Sequence, residues 1–379
     1  MKHKSGGLAV VSCAAQIGGG EMCLKRVLKT LREQGVSYTL FVPEAAAWRS
    51  EGEVRVFPEL GRDGGGGPAR FFGAALRMSR IVRKSNCRLI YGNTYVSAKW
   101  AALLRVLTGV PAVCHLHEST YAPYASRVAR WSGRVMSHYL AISEHVKQQF
   151  CLGAGVPDHK VTVIWNGVSP SEYTAADRVA IRRTIRETHG VPEHAALVLM
   201  VGQTRFIKGH DVLLEACLKL FGKYPALHLM YVGIERETEE QRAVLQGLEA
   251  RLENNPYADR VRFVDYNETP RRFMRAADLL VVPSRSEGFG LVAIEGMAEG
   301  VPVIASDTGG LREIIVHGES GLLVPPDDLR SLCAALDDLL EKPKRAEQLA
   351  EHAGERYRAC FTESRATARI AEVLTGIAG

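Results

Sequence analysis

The stretch that decides the fold is Pro283-Ser-Arg-Ser-Glu-Gly-Phe-Gly-Leu-Val-Ala-Ile-Glu295. It follows an apolar run over residues 278–283 that is typical of a strand, and it leads into residues 291–298, whose composition is helical. The stretch therefore predicts a strand, a glycine-rich turn and the start of a helix. A helix N-terminus suits a phosphate or pyrophosphate, because its first backbone N–H groups have no partner within the helix.

Two glutamates flank this helix start. Glu287 precedes the helix, and Glu295 follows about two turns later. A carboxylate beside a phosphate is electrostatically unfavourable unless it binds hydroxyl groups. A nucleotide-sugar has both features, since a ribose and a hexose flank its diphosphate. Taken alone, the segment is equally consistent with a plain strand, turn and helix that carry solvated glutamates.

Strand-like and helix-like segments alternate in two series, the first over residues 8–165 and the second over residues 197–324. Such alternation predicts parallel sheets with helices on both faces. We therefore expect an α/β protein of two doubly wound domains, one over residues 1–168 and one over residues 190–357. The two are joined by a polar, helical segment.

The bulk composition limits the class of protein. A length of 379 residues indicates two domains, and 46% hydrophobic residues supply two cores. No apolar run approaches the length of about 18 residues that a membrane-spanning helix needs, and the N-terminus lacks the features of a signal peptide. We therefore expect a cytoplasmic location. The eight cysteines are scattered, which favours neither a disulfide framework nor a zinc site.

Charge is divided unevenly along the chain. Residues 1–170 hold 22 Lys and Arg against 10 Asp and Glu (+12), whereas the remainder holds 26 against 32 (−6). The first half is therefore expected to meet an anionic partner, either a membrane surface or an acidic acceptor. Basic side chains recur there at helical spacing, and they form either solvated faces or a surface for anionic lipid: Arg77, Arg80, Lys84, Arg127, Arg130 and Arg134.

Two further loops have the composition of anion sites. Gly18-Gly-Gly-Glu21 follows the first strand and opens a helix, although Cys23 breaks the dinucleotide fingerprint and disfavours a nicotinamide dehydrogenase. In the second series, Arg205 and Lys208 follow the first strand and suit a diphosphate. A plain turn in the first case and two solvated cations in the second are the alternatives.

His117 ends an apolar strand, and alternation places His115 on the same face. A buried histidine with a satisfied hydrogen bond is as good an interpretation as a functional one. A metal site is disfavoured, because no third ligand has suitable spacing.

In order, the motifs resemble family 4 retaining glycosyltransferases of the GT-B fold. They are residues 18–21, His117, residues 163–168, residues 201–211 and the long block over residues 283–310. The resemblance implies two Rossmann-like domains facing a deep interdomain cleft, with the acceptor bound by the first and the nucleotide-sugar by the second. It also implies that a C-terminal helix near residues 358–379 packs back on the first domain.

The resemblance assigns roles to individual residues. The catalytic set is His117, Glu287 and Lys208, with His117 near the reactive sugar carbon, Glu287 on sugar hydroxyls and Lys208 on the diphosphate. Donor binding falls to Glu295 on the ribose, to cationic side chains and to backbone groups: Gly19, Gly20, Arg205, Lys208, Phe289, Gly290 and Leu291. Many relatives carry arginine at the position of Gln203, so Arg205 either replaces that arginine or has another role.

The expected reaction is transfer, with retention, of a sugar from a UDP- or GDP-sugar to an acceptor hydroxyl. The acceptor is a sugar, a lipid-linked molecule or a small molecule, in the synthesis of a cell-surface glycan, a glycolipid or a secondary-metabolite glycoside. No cofactor and no nucleic acid are expected. No metal is expected either, since Lys208 and an arginine replace it. Peripheral contact with an anionic membrane at its inner face is a further expectation. A nucleotide-sugar epimerase of similar fold is the alternative.

Overall fold

The computed structural model describes residues 7–14, 19–45, 48, 51–61, 67–117, 127–267 and 269–378. The chain forms two α/β units, one made of residues up to Asn166 together with those from Glu363 onward, and one made of residues Gly167–Thr362. Gly18, most of the glycine tract that follows Asp63, and residues 118–126 lie outside the described residues.

The first unit is built on a sheet of parallel strands. Its strands are β1 (Leu8–Ser12), β2 (Tyr38–Val42), β3 (Glu53–Val56), β4 (Leu89–Asn93), β5 (Ala112–Leu116), β6 (His138–Ala141) and β7 (Val161–Val163). The order across the sheet is β3-β2-β1-β4-β5-β6-β7. Its helices are α1 (Gly19–Glu33), α2 (Gly67–Lys84), α3 (Ala98–Thr108), α4 (Arg127–Val135), α5 (Glu144–Ala154) and α14 (Glu363–Ala378).

The second unit repeats this plan. Its parallel strands are β8 (Ala196–Val201), β9 (Leu227–Ile234), β10 (Val261–Asp265), β11 (Leu279–Val282), β12 (Val303–Ser306) and β13 (Leu322–Val324), in the order β10-β9-β8-β11-β12-β13. Its helices are α6 (Ala175–Thr188), α7 (His210–Leu220), α8 (Glu239–Leu252), α9 (Pro270–Ala276), α10 (Leu291–Glu299), α11 (Leu311–Ile314), α12 (Leu329–Glu341) and α13 (Pro343–Cys360).

The two sheets explain the apolar runs in the sequence. Every residue of β1, β4, β5 and β11 is buried, because helices cover both faces of a parallel sheet. In each unit the strand order reverses once, between β1 and β4 and between β8 and β11. Ligands of open α/β sheets bind outside the carboxyl ends of the strands at such a reversal. The doubly wound fold predicted from the sequence is confirmed.

The units divide at positions that differ from the predicted domain bounds. The second unit begins at Gly167 rather than at residue 190, because α6 packs against α9 and the buried Arg186 donates from Nε to the carbonyl of Ala276 at 3.1 Å. The last helix begins at Glu363, five residues later than predicted. It packs against α1, and Glu363 forms an ion pair with Arg26 at 3.2 Å.

No helix within the described residues is both long enough and apolar enough to span a membrane.

Candidate functional site

Three loops meet at the carboxyl ends of the strands in the second unit. They follow β8, β11 and β12. The backbone N–H of Arg285 donates to the carbonyl of Ile207 at 2.8 Å, and that of Gly310 donates to the carbonyl of Glu287 at 3.3 Å. Backbone hydrogen bonds therefore hold the loop after β11 to the loops after β8 and β12. These bonds fix the backbone positions from which its side chains extend.

Two glycines make this close approach possible. Gly209 has a φ of +75° and Gly309 a φ of +53°, which is the left-handed region that side chains disfavour. A Cβ on Gly209 would overlap the carbonyl of Pro283, and a Cβ on Gly309 would overlap the carbonyl of Glu287. The glycine turns of the sequence thus serve loop-to-loop packing.

Lys208 and Glu287 form an ion pair at this edge. The Lys208 Nζ lies 2.8 Å from Glu287 Oε2, which also accepts a hydrogen bond from Ser284 Oγ at 3.1 Å. The side chains of Lys208 and Glu287 are 25% and 16% exposed, so water screens the pair only in part. The arrangement offers a cation for a phosphate and a carboxylate for hydroxyl groups, each neutralised by the other until a ligand enters.

Helix α10 starts beside this pair. Gly290, its N-cap, has a φ of +113°, and the helix begins at Leu291. Phe289 is buried and its ring lies 6.2 Å from that of Phe361, so its side chain packs in the core and only its backbone N–H is available to a ligand. Glu295 lies further along α10 and is part-buried. The structure therefore brings a helix N-terminus, a lysine and a glutamate to one edge of the sheet.

Arg205 points to a different partner. Its Nε lies 3.6 Å from Glu240 Oε2 on α8, and both side chains are close to half exposed. Such a surface pair contributes little to stability and releases its arginine easily. Gln203, on the same loop, donates to Glu235 at 3.4 Å.

Arg285 is a residue that the sequence reasoning missed. Its guanidinium binds the carboxylate of Asp211 through two bonds of 2.9 Å, and it lies 3.9 Å from the ring centroid of Phe206. It also pairs with Asp327 at 2.7 Å. Arg285 thereby fastens the loop that carries Lys208 to the β11 turn. Its position within the quoted stretch was visible, but its partners are far away in the sequence.

The first unit contributes a separate cluster at its own strand reversal. His117 follows β5 directly and is part-buried, and burial lowers its pKa to about 4, so the imidazole is neutral at pH 7. Gly19 and Gly20 open α1, and a Cβ on Gly20 would lie 3.4 Å from the ring of His117. Asn93 donates to the carbonyl of Gly20 at 3.3 Å. The small residues at the start of α1 therefore leave room beside His117.

Comparisons with known proteins identify the family. The family model described as Glycosyl transferases group 1 matches residues 181–356, and that described as Glycosyltransferase Family 4 matches residues 17–172. D-inositol 3-phosphate glycosyltransferase 2 of Catenulispora acidiphila is 36% identical over 323 residues, which cover 80% of this chain and 74% of that protein. The chain belongs to glycosyltransferase family 4. It is thus an enzyme of the transferase class.

Two more comparisons extend this result. A D-inositol 3-phosphate glycosyltransferase of Thermobispora bispora is 37% identical over 226 residues, which are 58% of this chain and 51% of that protein. The crystal structure of Anabaena HepE in complex with UDP superimposes with a TM-score of 0.83 at 22% identity, over 98% of this chain and 100% of that one. The GT-B fold expected of this glycosyltransferase is confirmed.

Gly296 of this glycosyltransferase lies in α10. A Cβ there would overlap Cδ2 of Leu280 in β11 and lie 3.3 Å from Val303. The helix therefore packs directly on the sheet, which also fixes the position of its N-terminus at the site.

Proposed function

We propose that this glycosyltransferase transfers a sugar from a UDP- or GDP-sugar to an acceptor hydroxyl with retention of anomeric configuration. The observation that carries the proposal is the Lys208–Glu287 pair beside the N-terminus of α10. Lysine and helix N–H groups suit a diphosphate, and the carboxylates of Glu287 and Glu295 suit the hydroxyls of hexose and ribose. The HepE structures, which contain UDP in one case and UDP-glucose in another, support a uridine nucleotide.

In this reaction the acceptor hydroxyl attacks the anomeric carbon from the face that the diphosphate leaves. The bond from that carbon to the phosphate oxygen breaks, its electron pair stays on the diphosphate, and a phosphate oxygen takes the proton of the acceptor. Lys208 and the N–H groups of α10 stabilise the charge that develops on the leaving group. This positive charge stabilises the leaving diphosphate as a metal ion does in other enzymes. We therefore propose that transfer does not depend on a metal. Neutral His117 contacts the sugar.

The acceptor is proposed to carry phosphate. The relatives from Catenulispora and Thermobispora are named for D-inositol 3-phosphate, and the excess of positive charge over residues 1–170 favours an anionic molecule. A phosphorylated polyol has both the hydroxyl that attacks and the negative charge that this unit attracts.

Product analysis tests the proposal. The chain is incubated with UDP-glucose or GDP-mannose, with and without inositol phosphate, and the released nucleotide and the NMR spectrum of the product are recorded. We expect nucleotide release that depends on acceptor, and a product with the anomeric configuration of the donor. An inverted linkage contradicts retention. Isomerised donor that forms without acceptor favours the epimerase alternative.

Lys208→Met is the variant that tests the site. We expect turnover to fall by about 10²-fold if the charge contributes about 3 kcal/mol in the transition state. Lys223→Met is the matched control, since Lys223 is an exposed lysine that pairs with Asp337 on the same unit. Near-normal transfer by Lys208→Met contradicts the assignment.

We propose that the enzyme acts at a membrane surface. Helix α2 exposes Phe72 (54%) and Leu76 (47%) in line with the exposed Arg80, and α4 exposes Trp131 (40%) near two arginines. Apolar side chains beside cations suit an interface of anionic lipid. The proposal locates the enzyme in the cytoplasm, at the inner face of the membrane.

Liposome flotation tests this contact. We expect binding to vesicles that contain phosphatidylglycerol but not to pure phosphatidylcholine, and its loss in the double variant Phe72→Ser, Leu76→Ser. Leu152→Ser is the control, because Leu152 is 72% exposed on α5 of the same unit. Binding that is independent of anionic lipid contradicts the proposal.

A further inference from the structure

Three metal-ligating side chains converge in the first unit. Cys23 comes from α1, His115 from β5 and His117 from the residue that follows β5. The ligand atoms of the three side chains all lie within 4.8 Å of one another. The sequence analysis did not group Cys23 with the two histidines, because it is 92 positions from His115 and only the fold places α1 against this strand end.

The two ring nitrogens of His115 differ in their surroundings. The side chain is fully buried, and its Nδ1 lies 2.8 Å from the hydroxyl of Tyr91. Its Nε2 is buried and has no hydrogen-bond partner within the part of the chain that the structure describes. A buried polar atom without a partner costs free energy. A metal ion that accepts the lone pair of Nε2 removes this cost.

The donor set suits a soft or borderline metal ion. One thiolate and two neutral imidazoles are typical ligands of Zn²⁺, whereas Mg²⁺ and Ca²⁺ require oxygen. Burial holds the pKa of both imidazoles below the usual range, so both are neutral at pH 7. Burial also favours the protonated thiol of Cys23. The thiol therefore gives its proton to solvent as the sulfur–metal bond forms.

We propose that Cys23, His115 and His117 form a binding site for Zn²⁺ or a similar ion, and that occupation of this site inhibits sugar transfer. Tetrahedral zinc with these ligands places the donor atoms about 3.4–3.6 Å apart, so the side chains close by roughly 1 Å. Cys23 gives up its 3.3 Å hydrogen bond to Asn166 Oδ1. Water occupies the fourth position.

Tyr91 orients the imidazole of His115 through a hydrogen bond. With the metal on Nε2, the Nδ1 of His115 carries the proton and donates it to the Tyr91 oxygen, which fixes the tautomer and the ring orientation. The metal site itself stands without the proposed function. Its inhibitory effect rests on the proposed role of His117, because a metal-bound imidazole is withdrawn from the sugar.

Cobalt is the probe for this site, because a Co²⁺–thiolate bond gives a charge-transfer absorption that reports a cysteine ligand. The full chain is titrated with Co²⁺ and then with Zn²⁺ as a spectroscopically silent competitor. We expect one equivalent of Co²⁺ to produce the band and Zn²⁺ to abolish it. Tyr91→Phe is expected to weaken Zn²⁺ binding about 10–100-fold.

Cys23→Ala and Cys23→Ser are the decisive variants, and Cys87→Ser is the matched control. Cys87 is buried to the same degree as Cys23, at 7% against 8% exposure, but lies outside the cluster. We expect the band to disappear in the two Cys23 variants and to persist in Cys87→Ser, with circular dichroism showing that all three are folded. A band that survives in a folded Cys23 variant, or no band in the wild type, overturns the site.

Inhibition is measured separately. We expect Zn²⁺ to inhibit transfer by the wild type and by Cys87→Ser, and the folded Cys23 variants to retain transfer while requiring at least about tenfold more Zn²⁺ for the same inhibition. Equal sensitivity of wild type and Cys23 variants overturns the inhibitory effect. A chain that binds Co²⁺ through Cys23 but transfers no sugar overturns the proposed function and leaves the metal site intact.

Discussion

Replacing Glu287 by glutamine tests whether the ion pair of the second unit is a competitor of the nucleotide. In the structure, Glu287 Oε2 holds Lys208 Nζ at 2.8 Å, so a diphosphate has to displace this carboxylate before it can bind the lysine. The pair is partly exposed, at 16% and 25%, so we take its contribution as about 1 kcal/mol, well below the value for a buried pair. Glu287→Gln is therefore expected to bind free UDP about fivefold more tightly.

The same change has the opposite effect on transfer. Glutamine lacks the charge with which Glu287 holds sugar hydroxyls, so we expect turnover to fall by about tenfold, or about 1.4 kcal/mol. Isothermal titration with UDP and steady-state rates with the UDP-sugar measure the two effects. Glu215→Gln is the control, since Glu215 pairs with Arg251 at 2.9 Å on the same unit and both side chains are 42% exposed. UDP binding that is unchanged or weaker in Glu287→Gln refutes the reasoning.

Two further predictions concern stability. Gly296→Ala drives a Cβ into Leu280 and is expected to destabilise the second unit by about 1–3 kcal/mol, whereas Gly376→Ala, where a Cβ meets nothing within 4 Å, should stabilise α14 slightly; equal thermal shifts contradict this packing argument. Burial depresses the pKa of His210 to about 4, below its unfolded value, so stability is full above about pH 6.5 and falls with pH. Between pH 7 and pH 5 the free energy of unfolding of the wild type, measured with denaturant, should fall by about 2 kcal/mol more than that of His210→Gln. The same pH dependence of the unfolding free energy in both proteins disproves this.

The parts of the fold that the sequence predicted have a strong local signal. The strand β11 and the helix α10 were predictable because an apolar run ends at a proline and a glycine turn precedes a helical segment. The strand β3 was missed. It is an edge strand with the sequence Glu-Val-Arg-Val and largely exposed side chains, so it lacks the apolar run, and its pairing with β2 alone makes it a strand.

In the candidate site, too, the features with a local sequence signal were predictable and those that depend on packing were not. The positions of Lys208 and Glu287 followed from loops that come after strands, since the carboxyl ends of parallel strands meet at one edge. The partner of Arg205 did not, because Glu240 belongs to a helix whose orientation depends on the packing of the whole unit. Arg285 was missed for a similar reason. Contacts with Asp211 and Asp327 exist only after three separate loops have folded together.

The placement of α14 has a consequence for synthesis on the ribosome. Its residues Ile370, Ala371 and Leu374 share a buried cluster with Leu8 and Val10 of the first strand. The second unit, by contrast, is one continuous segment. During translation the second unit can therefore close its core first, while part of the apolar surface of the first unit stays uncovered until the sixteen residues of α14 emerge. Synthesis of the first unit begins before that of the second and ends after it, and in that interval its uncovered apolar surface is open to aggregation.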